Sequence, residues 1–171
     1  SIKLSNLNDL NIVLEEGFQD DFFTDLGWKN TQKASTGNWE RVIPKETILD
    51  NNFANCNEDV NDDFGNFAYV TGNGGSNVAD NDVDNGKTVL ESPVMDFMNS
   101  DTATIEFAYW FVNGGGSSST TPNDYFKVYL NNGISNLELI NTSTSNSQWI
   151  YSNKMVTEAD LTFTESMKII C

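Results

Sequence analysis

The segment Thr104–Phe111 (TIEFAYWF) determines the predicted fold class. Its large apolar residues recur at every second position, at Ile105, Phe107, Tyr109 and Phe111, which is the period of a β-strand in a sheet. Phe126–Leu130 (FKVYL) repeats the pattern. Shorter runs of the same kind, separated by turn clusters rich in Gly and Asn, lie at 12–14, 39–43, 67–71, 88–90, 137–140, 149–151 and 167–171. Many short strands joined by turns predict an all-β fold, a two-sheet antiparallel β-sandwich.

Length and composition predict one domain over residues 1–171. The chain has an adequate apolar fraction, 38%, for a core, and the Gly- and Ser-rich stretch 114–123 is interpreted as a mobile loop within that domain. No apolar run approaches the roughly 20 residues that a membrane-spanning helix needs, so no membrane insertion is expected. The two cysteines, Cys56 and Cys171, allow either a single bridge or two free thiols.

Charge and the absence of histidine exclude several functions. The formal net charge is -16, and a protein that binds nucleic acid needs a basic surface, so no nucleic acid partner is expected. The chain has no His, so neither a Ser-His-Asp nor a Cys-His catalytic system is available. Two carboxylates suffice for a glycosidase, but Glu40, Glu106 and Glu138 lie in strand-like segments and are interpreted as solvent-facing. We therefore expect a protein that is not an enzyme.

The acidic residues concentrate in one part of the chain. Residues 46–86 contain nine Asp and Glu and no Lys or Arg. Such carboxylates repel one another unless water or a cation screens them, and alternate carboxylates in a curled loop suit Ca²⁺. We predict a calcium site formed by Asp80, Asp82 and Asp84, with Asp63 from the same segment. The alternative is a solvated acidic loop without an ion.

The spacing of acidic residues in this loop matches that of a helix-loop-helix calcium motif. With Asp80 as the first position, Glu91 falls at the twelfth. The sixth position, however, is Asn85 where that motif has Gly, no helical pattern precedes Asp80, and 87–93 resembles a strand. We therefore expect calcium without the helix-loop-helix architecture.

An ordered series of short motifs extends along most of the chain. It comprises Asp20-Asp21-Phe22, Leu26-Gly27-Trp28, Gly37-Asn38-Trp39-Glu40-Arg41 with Pro44, Tyr69-Val70-Thr71-Gly72-Asn73, and Asp80-Asn81-Asp82-Val83-Asp84 continuing through Gly86, Thr88, Leu90, Ser92-Pro93 and Asp96. Over residues 18–171 the series resembles the jelly-roll accessory module found beside catalytic or adhesive domains in secreted multidomain bacterial proteins, including zinc carboxypeptidase-type peptidases. It is distantly similar to MAM and cleaved-adhesin modules.

The resemblance implies a non-catalytic jelly roll with bound calcium, secreted or at the cell surface, with Asp21 as a further ligand. Phe23 stands where the family often has Glu. The expected function is a calcium-stabilised adhesion or docking module whose partners are other protein domains or surface glycans. The alternative is a carbohydrate-binding module attached to a secreted hydrolase, with Trp and Tyr residues as its stacking platform. Similar modules continue past the strand 167–171, so we expect this strand to pair internally, while the unfinished sheet edge in its neighbourhood is either covered by a second copy or loosely ordered.

Overall fold

The computed structural model describes residues 17–75, 77–80, 82–114 and 124–171. Within these ranges the protein is all-β and antiparallel. The strands in the described part of the chain are β1 Lys29–Gln32, β2 Trp39–Val42, β3 Thr47–Leu49, β4 Asn52–Asn55, β5 Ala68–Thr71, β6 Val89–Glu91, β7 Thr102–Phe111, β8 Phe126–Asn131, β9 Asn136–Thr142, β10 Asn146–Thr157 and β11 Lys168–Ile170. One short 3-10 helix, Val78–Asp80, precedes β6. The predicted all-β class is confirmed.

Five strands form the largest sheet, in the order β1-β6-β11-β8-β9, and the others pair as β7 with β10, β2 with β5, and β3 with β4. The main core lies where β8 and β9 of the large sheet meet β7 and β10. Its buried residues are Ile105, Val128, Leu130, Leu139, Val156, Leu161, Phe163 and Met167. Burial of this apolar surface stabilises the fold.

A smaller core explains why β7 has no polar face at its C-terminal end. Cys56, Ala68 and Val70 are buried there, and Trp110 and Trp149 pack against them. The predicted alternation places Ile105 in the main core, but Trp110, on the opposite side of β7, is also covered. Both faces of this half-strand therefore contact protein.

Three strands lack the expected periodicity. β1 (KNTQ), β3 (TIL) and β4 (NFAN) were not predicted, because they are short or polar and are defined by their pairing partners. The predicted run 12–14, and all of the proposed loop 114–123 except Gly114, lie outside the described residues.

The last strand is internal to the large sheet. β11 pairs with β6 on one side and β8 on the other, and within the described residues β1 and β9 form the edges of that sheet. Cys56 and Cys171 are free thiols. No helix in the described ranges is long and apolar enough to cross a membrane.

Candidate functional site

The predicted calcium loop is held against the turn before β2. The carbonyl of Asp84 accepts hydrogen bonds from the Ser35 amide at 3.0 Å and hydroxyl at 2.8 Å, and the carbonyl of Asp82 accepts from Thr36 Oγ1 at 2.8 Å. Gly37 has a φ of +63°, and a Cβ there would lie 2.5 Å from the Asp82 carbonyl oxygen. Because only glycine permits this approach, Gly37 and the loop form one close contact, which we call the clamp.

Asp82 lacks a partner for one of its carboxylate oxygens. Asp82 Oδ1 is buried and, within the described part of the chain, has no hydrogen-bond partner. Burial raises the pKa of Asp82, and the charges of Asp84 and Asp124 raise it further. Asp80 ends the 3-10 helix at the start of the loop. The loop therefore holds negative charge whose repulsion a cation would relieve.

The twelfth-position residue of the helix-loop-helix motif has another role. Glu91 lies in β6, and its Oε2 is 3.0 Å from Lys168 Nζ. This hydrogen bond is the largest cause of the lowered pKa of Glu91. The expectation that 87–93 contains a strand is confirmed, and no long helix precedes the loop in the described ranges.

A cleft with a volume of about 890 Å³ opens beside this loop. Asp82, Asp84 and Asp124 all line it. Its walls also contain aromatic side chains, namely Trp39, Trp110, Phe111, Tyr125, Phe126 and Tyr129. Trp39 Nε1 is buried without a hydrogen-bond partner among the described residues, and Lys127 Nζ lies 4.5 Å from the centre of the Tyr125 ring. The acidic loop is therefore one border of a mixed aromatic and polar cleft.

Asp21 and Asp63, the other two predicted ligands, belong to a second cluster around Asp59. Burial, which is the largest cause, and the charges of Asp63 and Asp21 raise the pKa of Asp59 to about 6. Burial, followed by the charges of Asp21 and Asp62, likewise raises the pKa of Asp63. These charge interactions thus define two sets of acidic residues, one with Asp21, Asp59, Asp62 and Asp63 and one with Asp82, Asp84 and Asp124.

The backbone around the second cluster is fixed by specific contacts. Phe22 has a φ of +58°, and its amide donates to Asp20 Oδ1 at 2.8 Å, while Trp28 Nε1 donates to Asp20 Oδ2 at 2.8 Å. Arg41 donates to the Phe22 carbonyl at 2.7 Å, and its guanidinium lies 4.7 Å from the centre of the Phe67 ring. Asp20 and Arg41 therefore hold the turn in place.

Asp59 and Asp124 were not among the predicted ligands. Asp59 is in the lysine-free segment and stands four residues before Asp63, a spacing that only weakly indicates a shared metal site. Asp124 lies beyond the lysine-free segment, and nothing in its sequence context indicates a metal ligand.

The carboxylates are not arranged as a ready-made metal centre. Within the ranges described above, no three or more Asp, Glu or Cys side chains are grouped so that they could hold a metal ion as they stand. Like charges in the absence of a counter-ion favour separation, so an ion at either cluster would have to draw the oxygens together.

The carboxylates outside the loop face solvent, as predicted. Glu40, Glu106 and Glu138 are exposed, and each accepts a hydrogen bond from a neighbouring residue, respectively the amide of Asn73 and the side chains of Asn153 and Asn141. These interactions are typical of strand surfaces.

Comparison of the chain with protein-family models, with curated proteins and with solved structures finds no match.

Proposed function

We propose that this chain is a non-catalytic, calcium-stabilised docking or adhesion module of a secreted or cell-surface protein, folded as a two-sheet jelly roll. The observation that supports it best is the coincidence of an acidic loop with a cleft: Asp82, Asp84 and Asp124 line the same cleft, and Asp82 Oδ1 is buried and unpaired among the described residues. Oxygen ligands of this kind suit Ca²⁺. An ion there would order one wall of the binding surface.

The charge of the chain limits the partner. With a net charge of -16, an anionic surface would be repelled, so the partner is a neutral or cationic protein domain or glycan, or an acidic one bridged by calcium. The edges at β1 and β9 offer a further route, since unpaired strands recruit a second copy by strand addition.

Calcium dependence is tested by thermal unfolding with 1 mM Ca²⁺ or with chelator. A dissociation constant one to three orders of magnitude below the ligand concentration gives a stabilisation on the order of 1 to 4 kcal/mol. Asp82→Ala should remove the part of that effect that arises at the cleft. Glu138→Ala, which removes an exposed carboxylate in β9, is the matched control and should retain the full effect. An Asp82→Ala protein with an unchanged calcium response would refute a site at this loop.

Docking is tested by measuring the binding of the module to the other domains of its full-length protein, with calcium and with chelator. Affinity should fall when calcium is removed. Peptide and glycoside substrates should not be hydrolysed, and turnover that is lost on substitution of one carboxylate without a change in melting temperature would contradict the non-catalytic function.

The aromatic lining of the cleft favours one second candidate, a carbohydrate-binding module. Trp39, Trp110 and Tyr125 all line it, and aromatic faces with nearby polar groups are suited to sugar stacking. A glycan array distinguishes the two functions: reproducible oligosaccharide binding that is lost in Trp39→Ala, with the melting temperature retained, would favour the second.

A further inference from the structure

Among the described residues, an acidic side chain in an unusual environment lies away from the predicted calcium loop. Asp59 is only 9% exposed. Its Oδ1 accepts a hydrogen bond from the Val60 amide at 2.9 Å, but its Oδ2 is buried and has no partner within the described ranges. A buried carboxylate oxygen without a hydrogen bond is costly, and such groups normally bind a proton, a water or an ion.

The surroundings of Asp59 add negative charge. Asp63 Oδ1 is also buried and without a partner among the described residues. Asp63 and Asp21 are the two side chains whose charges act on Asp59, and both disfavour its ionised form. Carboxylates that are partly buried beside one another favour a group that offsets their charge, and a cation does so without requiring them to take up protons.

Contacts of the Phe23 ring bring the loops of these residues together. The rings of Phe23 and Phe64 meet edge to face with centroids 4.9 Å apart, and a Cβ on Gly65 would lie 2.9 Å from the Phe23 ring. Asp21 precedes Phe23 by two residues and accepts its amide hydrogen bond at 3.1 Å, while Asp63 directly precedes Phe64. The packing of the aromatic residues therefore holds Asp21 and Asp63 on facing segments.

The base of the loop is anchored as well. Trp149 Nε1 donates to the Glu58 carbonyl at 3.1 Å, and Cys56 is buried in the smaller core. Asp59 therefore projects from a fixed stretch of backbone rather than from a free loop.

We propose that Asp21, Asp59 and Asp63 form a second cation site, for a hard divalent ion of the calcium class, that connects the segment before β1 to the segment between β4 and β5. The ligands available are carboxylate oxygens, which Ca²⁺ accepts in flexible geometry, whereas Mg²⁺ demands a near-ideal octahedron. This site shares with the proposed function only the kind of ion, and it exists whether or not the Asp82 loop binds calcium.

Amide substitutions test the site. Asp59→Asn keeps an oxygen for the Val60 amide but removes the charge, and Glu58→Gln makes the same change at an exposed neighbour in the same loop. Both are placed in an Asp82→Asn background, so that calcium binding at the cleft is removed from the measurement.

The first readout is the melting temperature with chelator, with calcium and with magnesium. In the Asp82→Asn protein, calcium at a hundredfold excess over its dissociation constant should raise the melting temperature by about 5 to 10 °C. Glu58→Gln should preserve this shift and Asp59→Asn should abolish it. In chelator, Asp59→Asn should melt at a higher temperature than its parent, because it relieves repulsion from Asp21 and Asp63, whereas a purely structural carboxylate would show the opposite.

The second readout uses Tb³⁺, which substitutes for calcium and is sensitised by nearby tryptophan. The Asp82→Asn protein should give calcium-displaceable emission that is lost in Asp63→Asn, and it should be weakened by Trp149→Phe, since Trp149 contacts the residue before Asp59.

The site is disproved if Asp59→Asn retains the calcium shift, or if the Asp82→Asn protein gives neither a shift nor emission. An equal response to magnesium would overturn the assignment to the calcium class. Loss of the calcium response attributed to Asp59, with a normal calcium response at Asp82, would leave the proposed function standing. A calcium response at Asp59 without one at Asp82 would leave this second site standing and refute the cleft site.

Discussion

Replacing Gly37 with alanine should open the clamp and disconnect the acidic loop from the turn before β2. Gly37 has a φ of +63°, and an added Cβ would lie 2.5 Å from the carbonyl oxygen of Asp82 and 2.6 Å from the Val83 nitrogen. Both are backbone atoms, so no side chain can rotate away to make room. The loop itself has to move.

The expected loss of unfolding free energy in Gly37→Ala has two parts. A non-glycine residue in the left-handed region costs about 1 to 2 kcal/mol. Displacement of the loop also loses the hydrogen bonds that Ser35 and Thr36 donate to the carbonyls of Asp84 and Asp82, which are exposed and contribute about 0.5 kcal/mol each at the lower end of the usual range. The three hydrogen bonds together contribute about 1.5 kcal/mol, so Gly37→Ala should lower the free energy of unfolding by about 2.5 to 3.5 kcal/mol.

Gly27 is the matched control. Its φ is +92°, but a Cβ there would meet nothing within 4 Å, so Gly27→Ala reports the backbone strain alone. Urea unfolding of both variants gives the two free energies, and repeating it with calcium shows whether the cleft site has been lost. Gly37→Ala should be the less stable variant by at least about 1 kcal/mol and should respond less to calcium. Equal losses in the two variants would refute the clamp as the structural support of the loop.

Three further predictions concern the scaffold. Burial raises the pKa of Cys56 to about 12, so its thiol should resist alkylation at pH 8 in native protein and react only after unfolding; a rate equal to that of a free thiol would contradict this burial. Lys168→Met should cost less than about 1 kcal/mol at neutral pH, measured by urea unfolding. Because Lys168 lowers the folded-state pKa of Glu91, the contribution of the pair exists above the usual Glu pKa, and the difference from wild type should vanish as the pH falls through the lowered one. Leu130→Ala should cost about 2 to 5 kcal/mol, because Leu130 is fully buried, while Ile134→Ala at an 89% exposed position should be nearly neutral; similar losses would refute the position of the core.

Local patterns were sufficient for the fold class. The alternation in Thr104–Phe111 and Phe126–Leu130 corresponds to β7 and β8, because a strand with one buried face imposes a period of two on its own residues. β1, β3 and β4 could not be predicted in this way. Lys29–Gln32 is entirely polar and exists as a strand because β6 supplies its hydrogen bonds, which is information held in another part of the chain.

For the acidic residues, too, some properties followed from the sequence and others depended on tertiary packing. The sequence alone showed that residues 46–86 hold nine carboxylates without a basic residue, and that Asp82 and Asp84 share a loop. It did not show that the charges of Asp21 and Asp63 act on Asp59, or that the charge of Asp124 acts on Asp82, because the approach of distant segments depends on strand pairing and on ring contacts such as that of Phe23 with Phe64. Burial of Asp59 is likewise a property of the folded loop: composition determines how much charge a chain holds, and only tertiary packing decides which carboxylate loses its water.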